Sequence, residues 1–416
     1  MKFLSNTKGT GGVIKKYYED FVVKEITSKG VKLEPGLHCA PKDIGEDEDI
    51  NSKFSTFILE KRNWDTIKAL LAVSKSLGRG KGAFAYCGIK DKTSVSVQLA
   101  SMHGVEPKDI ERVKIKDISI NCVWKGGPVE LGSNVGNGFV ARIRDAKPEY
   151  AQETINELNG VFPNYFDKQR FGYRLNNFEV GLHIIKNELE EAILSFLTET
   201  KNETDLEAVH ARKRLKEDRD YKEAVLYFPK HLRYERMVIE YLSKQENYAN
   251  AIRRIPRGIS IMFIHAVESA IFNAVIDSRI KNKELFNSDI RCGKNKYGFP
   301  NIEELSEDGA FPMAPLIGYE TKDKYMSEYE KRLLEFLDIT KESFKIKSMP
   351  ELSMKGSLRS IIAPVKDIKT TASENEINVE FSLPSGAYAT IFLNEIMKND
   401  GLTLKSVYEK FSSIPL

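Results

Sequence analysis

The hydrophobic pattern of this chain changes twice along its 416 residues. Up to about residue 160 the pattern predicts mainly strands, among them FSTFILEKR (54–62) and NGFVARIRDA (137–146). Between about 182 and 350 helical spacings dominate, and the stretch 259–280 is apolar on most faces, as a buried helix would be. Strand character returns in 377–393. A helical insertion within one sheet domain of the α+β class explains this order more simply than three independent units.

Composition and cysteine spacing indicate the cellular compartment in which such a chain would work. Apolar residues make up 41% of the sequence, enough for large cores. The longest apolar run is broken by His265 and Glu268, so we expect no segment to reach transmembrane length, and the N-terminus does not resemble a signal peptide. The four cysteines are far apart in sequence, which disfavours zinc or a disulfide framework. These features predict a cytoplasmic protein.

Basic residues are unevenly distributed, although the formal net charge is only +3. The segment 210–237 has nine Lys and Arg against five Asp and Glu, and Arg253, Arg254 and Arg257 follow without an acid among them. Such stretches suit contact with phosphates. Ordinary exposed helix faces would have the same composition, so charge alone leaves both interpretations open.

Several familiar chemistries lack their sequence signatures. The glycine-rich segment 78–82 lacks the spacing of a phosphate-binding P-loop. The six histidines form neither H-E-x-x-H nor a cluster with cysteine, so we expect no catalytic metal. The G-x-S-x-G motif of a serine nucleophile is also missing.

One carboxylate stands out in GIKDK (88–92), where Asp91 lies between Lys90 and Lys92. Ammonium groups on both sides are expected to keep the carboxylate ionised, which suits a nucleophile or the stabilisation of a sugar cation. In such a site the two lysines would also meet substrate phosphates. The same three residues would equally form a charged turn in solvent, and the motif alone does not decide.

A second segment, PNYFDKQRFG (163–172), combines aromatic, amide and guanidinium side chains. Aromatic faces such as that of Phe166 stack on bases, while Asn164 and Gln169 could read base edges and Arg170 could grip phosphate. A loop folded over a core would show the same composition. The segment therefore indicates a candidate RNA contact without establishing one.

A third segment, LPSGAYAT (383–390), interrupts the strand pattern of the tail. Pro384 and Gly386 are predicted to break a strand and to present Tyr388 where the strand restarts. In this order the three segments resemble the TruD family of pseudouridine synthases. Two weaker matches, EDFVVKE (19–25) and HAVESAIFN (265–273), extend the resemblance over nearly the whole chain.

The resemblance implies a fold and a division of the chain. It implies a pseudouridine-synthase catalytic domain with a mixed, mainly antiparallel sheet and flanking helices. A mostly helical TRUD insertion domain interrupts that domain. On this sequence the catalytic domain would comprise residues 1–181 and 361–416, and the insertion would comprise residues 182–360.

The resemblance also implies an activity. Members convert a uridine of RNA to pseudouridine, typically uridine-13 of tRNA, without metal or organic cofactor. We therefore expect tRNA as the partner and a monomeric enzyme. The catalytic residues implied are Asp91, its basic partner Lys15 and the aromatic Tyr388. The predicted substrate-binding residues are Asn164, Phe166, Lys90, Lys92, Gln169 and Arg170.

Two departures and two alternatives accompany this interpretation. Asp167 occupies a position where the family commonly has glycine, which would place a negative charge near the RNA path, and Glu268 precedes Ser269 where relatives often have Gln-Ser. One alternative is an RNA-binding or tRNA-folding factor on the same scaffold with little catalysis. A remote alternative is a nucleotidyl-transferring enzyme that uses Lys90, although the K-x-D-G order of such enzymes is missing.

Overall fold

The structure, a computed structural model, describes residues 1–399 and residue 411. In chain order its strands are β1 (Phe21–Ile26), β2 (Phe54–Arg62), β3 (Phe84–Tyr86), β4 (Val95–His103), β5 (Ile118–Lys125), β6 (Gly136–Arg144), β7 (Val161–Pro163), β8 (Arg291–Lys294), β9 (Pro300–Leu305), β10 (Phe311–Leu316), β11 (Ser357–Ser360), β12 (Ile362–Pro364), β13 (Lys366–Ala372) and β14 (Glu376–Pro384). Its α-helices are α1 (Thr66–Ser76), α2 (Pro107–Glu111), α3 (Ala151–Leu158), α4 (Asn177–Ile185), α5 (Leu189–Thr198), α6 (Leu206–Asp218), α7 (Tyr221–Tyr227), α8 (Arg233–Leu242), α9 (Tyr248–Ile252), α10 (Arg257–Lys281), α11 (Glu328–Phe336) and α12 (Ala389–Met397).

The largest sheet joins the beginning and the end of the described chain. Seven strands follow the order β13–β14–β6–β1–β4–β2–β5, and the short β3 pairs with β4. Neighbouring strands are antiparallel except β1 and β4, which are parallel. Strand β14 pairs with β6 along its full length, from Glu376 opposite Arg144 to Pro384 opposite Gly136. The prediction of an α+β fold with a mixed sheet is therefore confirmed.

One hydrophobic core connects this sheet with the middle of the chain. Stacked rings of Phe139 and Phe381 lie 5.2 Å apart on β6 and β14, and Phe392 of α12 packs 4.7 Å from Phe381. The same buried cluster continues through α4, α5 and α10. Because the sheet and the helices share one core, α10 can fix the position of loops at the sheet.

The middle region is mostly helical, as predicted, but it also contains a small sheet. Strands β8 to β11 pair in the order β11–β10–β8–β9. These strands have four to six residues, and β9 is largely exposed, so they lack the alternation that identifies strands in a sequence. The predicted boundary at residue 181 falls within α4, and the three-part division stays a prediction.

Helix α10 corrects the expectation that no segment reaches transmembrane length. Its 25 residues are long and apolar enough to cross a membrane, and it is the single such helix in the described residues. However, 78% of its apolar window is buried inside the protein. The helix therefore serves as the central core element, which explains why apolar residues occupy most of its faces.

The tail departs from the predicted strand after Pro384. Gly386 adopts a left-handed conformation with φ 82°, and α12 begins at Ala389, so the strand does not restart at Tyr388. Residues 391–393 and 395–397 of this helix are all buried, and a helix buried on most faces has no clear amphipathic period in its sequence. The rest of the predicted C-terminal part, 400–410 and 412–416, lies outside the described residues.

Candidate active site

Asp91 lies on the loop between β3 and β4, at the mouth of the parallel strand pair. Two donors fix its backbone carbonyl: the Ser94 hydroxyl at 2.7 Å and the Lys61 ammonium of β2 at 2.8 Å. The carboxylate of Asp91 keeps 32% of its surface exposed. The loop thus holds the backbone firmly while leaving the acidic group accessible from a cleft.

Lys15 is the cation that contacts this carboxylate. Its ammonium group pairs with Asp91 Oδ2 and lies 4.2 Å from the centre of the Phe21 ring. Lys15 has a left-handed backbone with φ 58°, a conformation that costs a residue with a side chain free energy and is enriched at functional sites. The structure therefore brings together the two residues predicted as the acid and its basic partner.

The two lysines adjacent to Asp91 in sequence have other surroundings. Lys90 is buried, and its ammonium group lies 2.8 Å from Glu25 Oε2 and donates to Asn137 Oδ1 at 2.9 Å. Lys92 is exposed to solvent. The expectation that the adjacent lysines supply the charge beside Asp91 is wrong for Lys90, because its ammonium group pairs with Glu25, and Lys15 contacts the carboxylate instead.

The segment 163–172 forms the opposite wall of the cleft. Gln169 is exposed, and its Nε2 approaches Asp91 Oδ1 at 3.4 Å. The Phe166 ring meets the Tyr388 ring edge to face at 6.1 Å between centroids. The Arg170 guanidinium lies 5.0 Å from the Phe166 ring centre. Residues from all three predicted motifs therefore meet around one space.

Asn164 and Phe166 are held by residues of the middle region. Asn164 lies outside the cleft lining: its Nδ2 donates to the Ser360 carbonyl at 2.9 Å, and its Oδ1 accepts from Arg359 at 2.7 Å. Asn273 of α10 exchanges two hydrogen bonds of 2.8 Å with the backbone of Phe166. Asn164 is therefore connected to the cleft by its hydrogen bond to Arg359, which lines it. The role of Asn164 in binding substrate stays a prediction.

Asp167 does not lie on an exposed RNA path, contrary to the expectation from sequence. Its side chain is fully buried and accepts a hydrogen bond of 2.6 Å from the Thr390 hydroxyl. It also accepts from the Lys168 backbone amide at 2.6 Å. The carboxylate thus ties the second motif to the third from beneath the cleft. Glu268, the other departure, is buried and pairs with His265 at 2.8 Å.

Sequence reasoning missed two cations of this region, Lys61 and Arg359. Lys61 is fully buried in β2, and burial lowers its pKa to about 8. Its neighbours Glu60 and Arg62 are also charged, so nothing in the local sequence indicated that Lys61 is buried. Arg359 lies on the short β11 of the middle region, and nothing in the local sequence indicated that it reaches the cleft.

The cleft has a volume of about 320 Å³. Its walls combine a carboxylate, arginines, amides and aromatic rings, which is the chemistry that binds a nucleotide. A cavity of about 440 Å³ between α10 and α11 contains none of the predicted site residues. Within residues 1–399 and 411, no group of three or more His, Cys, Asp or Glu could hold a metal ion.

The arginines predicted to contact RNA in the middle region are largely engaged within the protein. Arg253 donates to Glu351 at 2.7 Å and to the Ser348 carbonyl at 2.8 Å. Arg254 lies over the Tyr241 ring at 4.7 Å, and Arg257 donates to the Glu351 carbonyl at 3.3 Å. These contacts favour a structural role over RNA contact.

Comparison with known proteins identifies relatives over nearly the whole chain. The family described as tRNA pseudouridine synthase D (TruD) matches residues 1–396. A protein of Methanococcoides burtonii described as a probable tRNA pseudouridine synthase D is 32% identical, with 97% of this chain and 96% of that protein covered. One of Methanopyrus kandleri is 35% identical, with 83% and 86% covered. A crystal structure described as a TruD of Methanosarcina mazei is 30% identical, covers 97% of both chains and superimposes with a TM-score of 0.76.

These similarities establish both the enzyme class and the family of the protein. With an α+β fold and a cleft built around one loop aspartate, the chain is a tRNA pseudouridine synthase, an isomerase. It belongs to the TruD family. The resemblance inferred from the three motifs is confirmed.

Proposed function

We propose that this protein isomerises uridine-13 of tRNA to pseudouridine and that Asp91 acts at the ribose C1′ of the flipped-out nucleotide. The observation that carries the proposal is the Asp91 carboxylate, which is accessible from the cleft, held by its backbone and paired with Lys15. In the same proposal the enzyme works as a monomer in the cytoplasm and needs no metal or organic cofactor.

The arrangement supports a distinct task for each oxygen of Asp91. Lys15 occupies Oδ2, whereas Oδ1 is approached at 3.4 Å by the Gln169 amide among the described residues. We assign Oδ1 the attack on C1′, or the stabilisation of positive charge there on a glycal-type route. The bond between C1′ and N1 breaks with its electron pair on N1. The uracil turns, C5 bonds to C1′ as Asp91 is released, the C5 proton leaves and N1 takes up a proton, so that the product is an isomer.

The remaining residues bind and orient the extruded nucleotide in this proposal. Tyr388 stacks on the base, which supplies most of its effect, and its hydroxyl makes a smaller contribution, either to proton transfer at C5 or through a hydrogen bond that holds the ring. Phe166 supports Tyr388 from behind by edge-to-face contact. Gln169, Arg170 and the buried Lys90 complete the wall of the cleft, and Lys92 meets phosphate at the surface.

The experiment uses unmodified tRNA transcripts carrying tritium at C5 of uridine. Because C5 loses its hydrogen when it bonds to C1′, tritium release measures turnover, and carbodiimide labelling maps the new pseudouridine. We expect release with one modified position, uridine-13. Release with labelling at another position would overturn the uridine-13 assignment alone. Tight tRNA binding without release would instead indicate an RNA-binding or tRNA-folding factor.

A further inference from the structure

Two arginines reach the cleft without a carboxylate partner in the described part of the chain. Arg359 donates to three neutral acceptors: the Asn164 side chain at 2.7 Å, the Asn164 carbonyl at 3.2 Å and the Gly386 carbonyl at 3.0 Å. Arg170 lines the same cleft, and its buried Nε has no hydrogen-bond partner among the described residues. Both guanidinium charges are therefore uncompensated.

The two charges are also close together. Arg359 and Arg170 lie 4.1 and 5.0 Å from the centre of the one Phe166 ring. Burial, with a smaller contribution from Arg170, lowers the pKa of Arg359 to about 10, so Arg359 remains charged at neutral pH. The ring attracts each cation, but a cation–π contact does not neutralise its charge.

The other charges of the cleft do not compensate the pair. Asp91 is engaged by Lys15, and Lys90 is matched by Glu25. Two partly buried positive charges in excess are unfavourable until an anion enters. The region around Phe166 is therefore preorganised for a negatively charged ligand, and guanidinium groups suit the oxygens of a phosphate.

We propose that Arg359 and Arg170 form an anion-binding subsite that takes a phosphodiester flanking the target nucleotide. The inference rests on the proposed function, because it places this phosphate next to the ribose that meets Asp91. It makes the middle region part of the active site, since Arg359 is supplied by β11. It also assigns Asn164 the task of orienting Arg359, with which it shares three hydrogen bonds.

A thermodynamic cycle between protein charge and RNA charge tests the subsite. The RNA is tRNA with an uncharged methylphosphonate at one of the two phosphates that flank the modified uridine. The proteins carry Asp91→Asn, so that dissociation constants are measured without turnover, with or without Arg359→Gln. We expect Arg359→Gln to weaken binding of ordinary tRNA by at least about tenfold.

The interaction between the two changes decides the outcome. In the protein that retains Arg359, a methylphosphonate at one flanking position should weaken binding by a similar factor. With Arg359→Gln the same methylphosphonate should change affinity by less than about twofold, because the contact is already lost. Equal losses in both proteins at both flanking positions would overturn the proposal.

Control variants separate a lost contact from a damaged fold. Arg253→Gln removes the same charge from an arginine that pairs with Glu351 outside the cleft, and it should keep the full methylphosphonate effect. Arg359→Lys retains the charge and should restore part of the affinity. If thermal melting shows that Arg359→Gln does not fold, Arg170→Gln enters the same cycle. Turnover of the unmodified protein on ordinary tRNA is measured first, since its absence would contradict the proposed function itself.

Discussion

Two aspartates, each followed by a lysine, have opposite surroundings: Asp91 lines the cleft, whereas Asp167 lies beneath it. Asp91 presents a carboxylate that is 32% exposed and is paired with Lys15 from a distant loop. Asp167 is fully buried, where its oxygens accept from the Thr390 hydroxyl and the Lys168 amide. The Asp91 carboxylate is available to a substrate, whereas the Asp167 carboxylate is fully engaged in hydrogen bonds within the protein.

The difference shows that the partner supplied by the fold, not the neighbour in sequence, decides what a carboxylate does. The dipeptide Asp-Lys occurs in both loops. In neither loop is the ammonium group of that lysine the group that holds the carboxylate. Asp91 should therefore control chemistry with little effect on stability, and Asp167 should control stability with less effect on chemistry. Changes at or near each carboxylate test this contrast.

The largest effect is expected from Asp91→Asn. The amide has nearly the shape of the carboxylate but cannot attack C1′ or stabilise a cation there, so turnover should fall by at least about 1,000-fold, or about 4 kcal/mol in barrier. Tritium release and tRNA affinity would be measured on the same preparation. Turnover within about tenfold of the unmodified protein would remove Asp91 from the mechanism.

The stability of the protein should depend on pH through Lys61, whose ammonium group donates to the Asp91 carbonyl. Burial lowers its pKa from 10.5 to about 8 in the folded protein, so the unfolded chain binds more protons between these values. The unfolding free energy of the unmodified protein should therefore rise with pH from about 8 to 10.5 relative to Lys61→Met, by about 3 kcal/mol at most. Below pH 8 the difference should be constant.

Chemical denaturation of both proteins across this pH range measures the effect. Lys16→Met, which removes an exposed lysine at a site without deep burial, controls for the change in net charge. A difference between the unmodified protein and Lys61→Met that does not change with pH would show that Lys61 is not held in a strongly desolvated site.

Asp167→Ala should act on stability. The substitution leaves the Thr390 hydroxyl and the Lys168 amide without their acceptor, which costs about 2 kcal/mol, while turnover of the folded protein should fall by less than tenfold. Adding Thr390→Val should recover part of the stability, because one unpaired donor is then removed. A loss of turnover comparable with that of Asp91→Asn, at unchanged stability, would contradict the contrast between the two aspartates.

The sequence predicted the chemistry of the cleft better than its geometry. Motif composition brought Asp91, Phe166 and Tyr388 into one hypothesis, and the structure places them around one space. Contacts between distant segments could not be derived from local patterns. The pairing of Lys15 with Asp91 was implied by the family resemblance alone, and the sulfurs of Cys39 and Cys122 lie 2.7 Å apart although the two residues are 83 positions apart in sequence.

The fold likewise contains elements that the sequence could predict and elements that it could not. Strands with one buried face were predictable from their alternation, whereas the short strands β8 to β11 and the start of α12 were not. In α12 an apolar run fits a buried strand and a buried helix equally well, and only packing against the sheet decides between them. It was therefore easier to predict from the sequence which residues belong to the active site than where strands and helices begin and end.

Tyr388 lies between the two regions that the aspartates define. It precedes Thr390, the partner of Asp167, by two residues, and its ring meets Phe166 in the cleft that contains Asp91. Tyr388→Phe keeps the ring and should retain turnover within about threefold, whereas Tyr388→Leu should lose at least tenfold, about 1.4 kcal/mol. Thermal melting of both variants should change little.

The physical reason is the cost of extruding a base from its stack, a few kcal/mol, which an aromatic side chain repays at about 1–3 kcal/mol per base. If Tyr388 instead belongs to the Asp167 region, both substitutions should lower the melting temperature, and activity should fall in proportion to the unfolded fraction. Turnover is therefore measured at a temperature where each variant is fully folded. A Tyr388→Leu protein that is folded and fully active on tRNA would show that the ring does not support the base and would assign LPSGAYAT to the fold alone.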